Sequence, residues 1–167
     1  MKPWLLFIVY GIVMIAVKSV WAWPGDFLLL AVIYLGFYEE WRLGFSVSLI
    51  FGFLLDVCSI SPMGTGIFSY AIIFGLIRFF RNKILFKTLL SRFCWVAVLT
   101  LINVGVSHFV IRLFGQPTYS LRFLFPQLLL SMLINATLGL VWIPFLKWYR
   151  NLNLEALMKQ KDILLKK

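Results

Sequence analysis

The most informative part of the chain is residues 44–75, GFSVSLIFGFLLDVCSISPMGTGIFSYAIIFG. Its first half places Gly44, Ser48, Gly52 and Asp56 four residues apart, with large apolar side chains between them. Because residues four apart share one face of an α-helix, the spacing predicts a helix with a stripe of small residues that ends in a carboxylate. In a membrane such a stripe lets another helix approach closely, either from the same chain or from a partner.

The second half of residues 44–75 contains a turn and then a second apolar segment. Four residues with turn chemistry interrupt the apolar pattern: Ser59, Ser61, Pro62 and Gly64. We expect Asp56 to accept hydrogen bonds from these serines or from backbone N–H groups near Gly64, since an unpaired carboxylate is costly in a membrane. Pro62 is expected at the start of the next helix, and Gly64 in a backbone conformation that other residues resist. Two roles stay open for Asp56, which are helix capping and direct contact with a partner.

The composition is typical of a membrane protein. The chain has 167 residues, of which 62% are hydrophobic and 13% are charged. Soluble domains carry about 25% charged residues. We therefore predict an all-α polytopic membrane protein, with one transmembrane domain over residues 1–150 and a basic cytoplasmic tail over residues 151–167 that could form an amphipathic helix.

Six transmembrane helices are predicted, near residues 4–17, 27–38, 44–59, 63–80, 93–113 and 121–149. The first segment also resembles a signal peptide, but Lys18 lies where cleavage would occur, which favours a retained span. With both termini in the cytoplasm, thirteen of the sixteen Lys and Arg residues lie inside and three outside. The positive-inside rule favours this orientation, which puts Asp56 at the outer end.

The net charge of +10 comes largely from segments between or after the apolar spans. This location favours contact with anionic lipid over contact with nucleic acid, which we do not expect as a partner. A protein partner at the same face remains an alternative. The connection between the fourth and fifth spans forms a predicted cytoplasmic basic surface: Arg78, Arg81, Lys83, Lys87 and Arg92.

Two of the predicted spans each carry a polar face. The fifth span has Thr100, Asn103 and Ser107, and the sixth has Ser131, Asn135 and Gly139. We interpret both faces as hydrogen-bonding seams between helices, and a substrate-lined cavity is the alternative.

No enzyme, metal site or cofactor is expected from the sequence. His108 is the only histidine and the two cysteines lie far apart, so no group of residues has metal-ligand spacing. Cys58 and Cys94 fall near opposite membrane faces, so we expect no disulfide between them. Ser107 and His108 are adjacent on a helix and point in different directions, which disfavours a catalytic pair. We interpret His108 as an interfacial residue with satisfied hydrogen bonds.

The motif and the length of the chain resemble the rod shape-determining protein MreD family. The matching residues are Gly44, Gly52, Asp56, Ser59, Ser61, Pro62, Gly64, Tyr70 and Gly75, together with Pro24 and Asp26 before the second span. The resemblance implies a non-catalytic scaffold subunit in the bacterial inner membrane. It further implies a place in the cell-wall elongation complex, which maintains cell shape and lateral peptidoglycan synthesis.

The same resemblance implies partners and a fold. MreC is expected to bind directly, with MreB, RodA and penicillin-binding protein 2 in the same complex. The fold is expected to be similar to that of the substrate-binding subunits of energy-coupling-factor transporters. A vitamin-binding subunit of an importer is therefore the alternative function, although the first span lacks the Ala-x-x-x-Ala docking pattern of such subunits. An assembly factor for another envelope complex is a third interpretation.

Overall fold

The computed structural model describes residues 9–14, 16, 25–59, 62–81, 88–115 and 121–165, with side chains described for 125–148 of the last range. Helix α1 contains residues 9–14 and 16. The other helices are α2 Phe27–Tyr38, α3 Trp41–Cys58, α4 Thr65–Phe80, α5 Leu89–Leu113 and α6 Leu121–Leu165. The described residues contain no strand, so the predicted all-α architecture is confirmed for them.

Helix α2 is the centre of the bundle. Its sequence FLLLAVIYLGFY has no polar face, and every residue from Leu28 to Phe37 is buried. A helix that is apolar all round is stable only when neighbours cover all of its sides. Helices α3, α4, α5 and α6 all contact α2 and provide that cover.

The helices around α2 form two pairs of sequential neighbours. Helix α3 packs most extensively on α4, and α5 packs most extensively on α6. Gly139 of α6 contributes to the second pair, because a Cβ atom at this position would lie 3.0 Å from a side-chain carbon of Val96 on α5.

Within the described part of the chain, three helices are long and apolar enough to cross a membrane: Trp41–Cys58, Leu89–Leu113 and Phe125–Trp148. Two further apolar helices, Phe27–Tyr38 and Thr65–Phe80, are shorter. At 1.5 Å per residue, α2 is about 18 Å long, which is less than the hydrocarbon thickness of about 30 Å. The short second span predicted from the sequence is therefore present as a buried helix.

Several helix boundaries differ from the predicted ones. Helix α3 begins at Trp41 and α5 at Leu89, so both start earlier than predicted, whereas α4 starts only at Thr65. Helix α6 continues from Leu121 to Leu165 through Pro126 and Pro144. The backbone therefore has no break at residue 150, where the sequence suggested a boundary between the transmembrane domain and the tail.

The bundle has two chemically distinct ends. The aspartate end contains Asp26, at the start of α2, and Asp56, near the end of α3. The basic end lies at the opposite ends of the same helices. The described cationic side chains of the basic end are Arg42, Arg78, Arg81, Arg92 and Lys147. Arg112, near the end of α5, is the described cation of the aspartate end.

The two polar faces are present, and their hydroxyls bond largely to their own helices. Thr100 Oγ1 donates to the carbonyl of Val96 at 2.8 Å, and Ser107 Oγ donates to that of Asn103 at 2.8 Å. One interhelical link is between Ser69 of α4 and Ser107, whose hydroxyl oxygens lie 3.0 Å apart. The seam predicted for the fifth span therefore joins α5 to α4 through a single described hydroxyl pair.

Candidate functional site

Asp56 clamps the first turn of α4 to the end of α3. The Asp56 side chain is 4% exposed. Its Oδ2 accepts hydrogen bonds from the backbone N–H groups of Gly64 at 2.9 Å and Ile67 at 3.2 Å, and its Oδ1 accepts one from Gly66 at 2.6 Å. The first N–H groups of a helix have no partner within the helix, and the helix dipole favours an anion at that end. The Asp56 carboxylate supplies both the hydrogen-bond acceptors for these N–H groups and the negative charge. We call this set of three hydrogen bonds the clamp.

The turn before α4 requires Gly64. This residue is the N-cap of α4 and has φ 101° and ψ −18°, which lies in the left-handed region. Side chains other than glycine are strained there. Thr65 closes the turn, because its backbone N–H and its Oγ1 both donate to the carbonyl of Pro62, at 3.2 Å and 2.8 Å. The predicted conformation of Gly64 and the predicted hydrogen bonds from backbone N–H groups near it are therefore present.

Three other motif residues of the turn are placed differently or lie outside the description. Pro62 precedes α4 by more than one residue, so the expectation that it starts the helix is wrong, and its carbonyl serves as the acceptor for Thr65. Ser59 is the C-cap of α3 and its N–H donates to the carbonyl of Asp56 at 3.4 Å. Ser61 lies outside the described residues.

The small-residue stripe of α3 faces α4 of the same chain. A Cβ atom at Gly52 would lie 2.6 Å from the Cα atom of Ile67 and 2.7 Å from the carbonyl oxygen of Gly66. A Cβ atom at Gly66 would in turn lie 2.7 Å from the carbonyl oxygen of Gly52. Real Cβ atoms do not approach backbone this closely, so the two helices cross with their backbones in contact at this pair. We call the contact between Gly52 and Gly66 the glycine crossing. The partner left open by the sequence is therefore α4.

The remaining stripe residues are also buried. Gly44 lies against the ring of Phe74 on α4, where a Cβ atom would be 2.8 Å from a ring carbon. Ser48 is fully buried and its Oγ donates to the carbonyl of Gly44 at 2.7 Å. The absence of a side chain at Gly44 therefore lets α3 lie close to α4 near the start of α3 as well.

Tyr70 belongs to a second polar cluster, at the start of α2. The Tyr70 side chain is 0% exposed, and its hydroxyl lies 3.1 Å from both carboxylate oxygens of Asp26. Asp26 caps α2 by accepting from the N–H of Leu29 at 3.2 Å. The backbone N–H of Asp26 donates to Asn135 Oδ1 on α6 at 2.7 Å. Helices α2, α4 and α6 are therefore joined at one point, which we call the Asp26 cluster.

Helix α1 is joined to the same region by two further hydrogen bonds. Tyr10 donates its hydroxyl proton to the carbonyl of Phe27 at 3.3 Å, and it accepts from the indole N–H of Trp142 at 2.6 Å. The ring of Phe27 meets that of Trp142 edge to face, with centroids 5.3 Å apart. The start of α2 thus contacts α1, α4 and α6.

Sequence reasoning found some of these residues and missed others. It singled out Asp56, Gly52 and Tyr70, but it did not pair Tyr70 with Asp26, and it did not find the role of Gly66. A signal for Gly66 was present, because Gly64 and Gly66 stand two residues apart beside the turn. No local pattern indicates the bond between Asp26 and Asn135, since 109 residues separate them.

The predicted basic surface is only partly brought together. Arg78 is half-buried and its Nη1 donates to the carbonyl of Glu39 at 3.0 Å and to that of Gly36 at 3.4 Å. Its guanidinium therefore caps the C-terminal end of α2. Arg81 is exposed, and Arg92 is half-buried in the first turn of α5. Lys83 and Lys87 lie outside the described residues.

The potential metal ligands and the cysteines are scattered over the described residues. None of the described His, Cys, Asp and Glu residues form a group of three or more that could hold a metal ion. Cys58 and Cys94 are both free and exposed. His108 Nδ1 is buried without a hydrogen-bond partner among the described residues, so the interpretation of His108 as a satisfied residue is wrong.

Comparison with known proteins agrees with the motif. No curated protein and no solved structure matches the chain significantly. The family described as rod shape-determining protein MreD matches residues 3–152, which contain the clamp, the glycine crossing and the Asp26 cluster. The chain therefore belongs to the MreD family of rod shape-determining membrane proteins.

Proposed function

We propose that this chain is a non-catalytic scaffold subunit of the cell-wall elongation complex in the bacterial inner membrane. In this role it binds MreC directly and takes part in the same complex as MreB, RodA and penicillin-binding protein 2. It thereby helps to maintain cell shape and lateral peptidoglycan synthesis. Membership of the MreD family supports the role in rod shape.

The observation that carries the proposed contact with MreC is the apolar edge beside the clamp. We define the turn edge as Val57, Met63 and Phe68, which are 54%, 69% and 58% exposed. The three residues lie around the end of α3 and the start of α4, which the hydrogen bonds from Gly64 and Gly66 to Asp56 join. Exposed apolar side chains on two helix ends that are fixed to each other are a suitable seat for a partner protein, because little order is lost on binding.

In this proposal Asp56 acts on MreC through the turn rather than by touching it. Its two carboxylate oxygens already accept three backbone hydrogen bonds, and the stripe before it is covered by α4. The partner therefore contacts the turn edge, and Asp56 fixes its shape. Capping and partner binding, which the sequence left as alternatives, become two consequences of one arrangement.

The proposed topology has six transmembrane helices with both termini in the cytoplasm. The distribution of described cations supports it, because the basic end then faces the cytoplasm. The aspartate end, with the turn edge, faces the other side of the membrane. The basic end faces the compartment of MreB, and Arg81 is an exposed cation available there. We also propose that the fold is similar to that of the substrate-binding subunits of energy-coupling-factor transporters.

Depletion of the chain in its own host tests the function. We expect depleted cells to lose rod shape and to regain it when the wild-type chain is supplied. Met63→Glu places a charge on the turn edge and is expected to fail in this rescue, whereas Phe114→Glu, at an exposed residue just after α5 at the same end of the bundle, is expected to succeed. Normal rod shape after full depletion would contradict the proposal. A vitamin that co-purifies with the chain would favour the importer subunit.

A further inference from the structure

The basic end contains a cavity of about 230 Å³ that the scaffold function does not use. It lies between the last turn of α2, the first turns of α5 and the part of α6 around Pro144. Its lining residues are Tyr38, Arg92, Ile143, Pro144, Lys147 and Trp148. We propose that this cavity binds the phosphate-bearing head group of an acidic phospholipid.

Two cations from different helices face one space. Arg92 lies on α5 and Lys147 on α6, and both line the cavity. A phosphate oxygen bound between a guanidinium and an ammonium group gains charge-assisted hydrogen bonds from both. Basic pockets between transmembrane helices near a membrane surface are a common form of acidic-lipid site.

Tyr38 holds one of the cations in place. The Lys147 Nζ lies 5.6 Å from the centroid of the Tyr38 ring. This distance is within the range of a cation–π interaction, which restricts a side chain that would otherwise be mobile. The ammonium group therefore stays at the cavity while part of its hydrogen-bonding capacity remains for a ligand.

The other walls of the cavity favour a lipid over a free anion. Ile143 and Pro144 provide an apolar wall, and Trp148 is 57% exposed beside it. Tryptophan is enriched where the hydrocarbon core meets the head groups. The rings of Trp142, Phe145 and Trp148 follow one another along α6, with successive centroids 5.2 Å and 5.9 Å apart. Acyl chains can lie along this aromatic strip while the phosphate occupies the cavity.

The test measures which ligand the purified chain retains. The protein in detergent is incubated with phosphatidylglycerol, with phosphatidylcholine or with inorganic phosphate, and bound ligand is counted by native mass spectrometry. Thermal unfolding is recorded in parallel. We expect phosphatidylglycerol to stay bound and to raise the unfolding temperature, and the other two ligands to do neither.

Two cavity variants and one matched control assign the site. Lys147→Gln and the double variant with Arg92→Gln are expected to weaken phosphatidylglycerol binding about tenfold or more. Arg42→Gln removes an exposed cation from the same end outside the cavity, and it is expected to leave binding unchanged. Because Lys147 is exposed, its single variant keeps the test valid if the double variant does not fold.

Three outcomes would overturn the proposal. Equal retention of phosphatidylcholine would show that the cavity does not select an acidic lipid. Equal stabilisation by inorganic phosphate would assign the cavity to a free anion. Unchanged phosphatidylglycerol binding by the folded Lys147→Gln variant would place the lipid elsewhere. None of these results depends on MreC, so the site and the scaffold function are tested separately.

Discussion

Asp56 Oδ1 accepts a hydrogen bond from Gly66 N–H at 2.6 Å, and Gly66 is also the residue that packs against the backbone of Gly52. The carboxylate and the glycine crossing therefore stabilise the same contact between α3 and α4. A larger residue at the crossing would separate the helices and lengthen the hydrogen bonds to Asp56. We therefore expect the clamp and the crossing to respond to substitution as one unit.

Substitution of Asp56 should destabilise the fold. Asp56→Ala leaves three backbone N–H groups near the buried end of α4 without their acceptor, and we expect a loss of about 2 to 4 kcal/mol. Asp56→Asn retains one oxygen acceptor and should lose less. The measurement is denaturant unfolding in detergent micelles. Glu40→Gln, at an exposed acidic residue, is the control and should unfold as the wild type does. Wild-type stability of Asp56→Ala would contradict the clamp.

The glycine crossing predicts opposite results for two glycines. Gly52→Ala brings a methyl group onto the backbone of Ile67 and should cost about 1 to 3 kcal/mol. Gly75→Ala meets no atom within 4 Å and should be neutral or stabilising by up to about 1 kcal/mol, because alanine is the better helix former. The same unfolding assay compares the two variants. Equal destabilisation by both would show that space at the crossing is not the cause.

Tyr70 and Asp26 should be energetically coupled. Tyr70→Phe removes the hydroxyl that lies 3.1 Å from both oxygens of Asp26, and we expect a cost of about 1 to 3 kcal/mol. A double-mutant cycle with Asp26→Asn should give a coupling energy of at least about 0.5 kcal/mol. Thr137→Val is the control, since this exposed hydroxyl donates to carbonyls of its own helix. Additive costs within error would contradict a direct bond.

The proposed orientation can be tested with the native cysteines. Cys58 is exposed at the aspartate end of the bundle, and Cys94 lies in the first half of α5, near the basic end. A membrane-impermeant maleimide added to spheroplasts should therefore label the wild type and Cys94→Ser but not Cys58→Ser. Labelling of Cys58 only in inverted vesicles would place the aspartate end in the cytoplasm and reverse the topology.

The sequence predicted the features of the fold that depend on spacing and composition. Apolar segments indicated the helices, and small residues four apart indicated a close helix contact, which α4 provides at Gly52. The turn chemistry indicated the conformation of Gly64 because only one residue type fits it readily. These predictions succeed because each rests on residues close in sequence.

The features that the sequence did not predict depend on distant residues. Asn135 meets Asp26 across 109 positions, and Arg78 reaches the carbonyl of Glu39 across 39 positions. The pattern of α5 indicated a polar face, but it could not show that Ser69 would pair with Ser107. Arg78 looked like a surface cation because its neighbours in sequence are basic, whereas its position on α4 directs it to the end of α2.

Binding of MreC is the measurement that tests the proposed function most directly. The chain is co-expressed with MreC of the same organism, extracted in detergent and separated by size exclusion, as the wild type, Met63→Glu and Phe114→Glu. We expect MreC to co-elute with the wild type and with Phe114→Glu, and to be largely lost from folded Met63→Glu. Failure of the wild type to retain MreC would contradict the scaffold function, and full retention by Met63→Glu would contradict the turn edge as its binding surface.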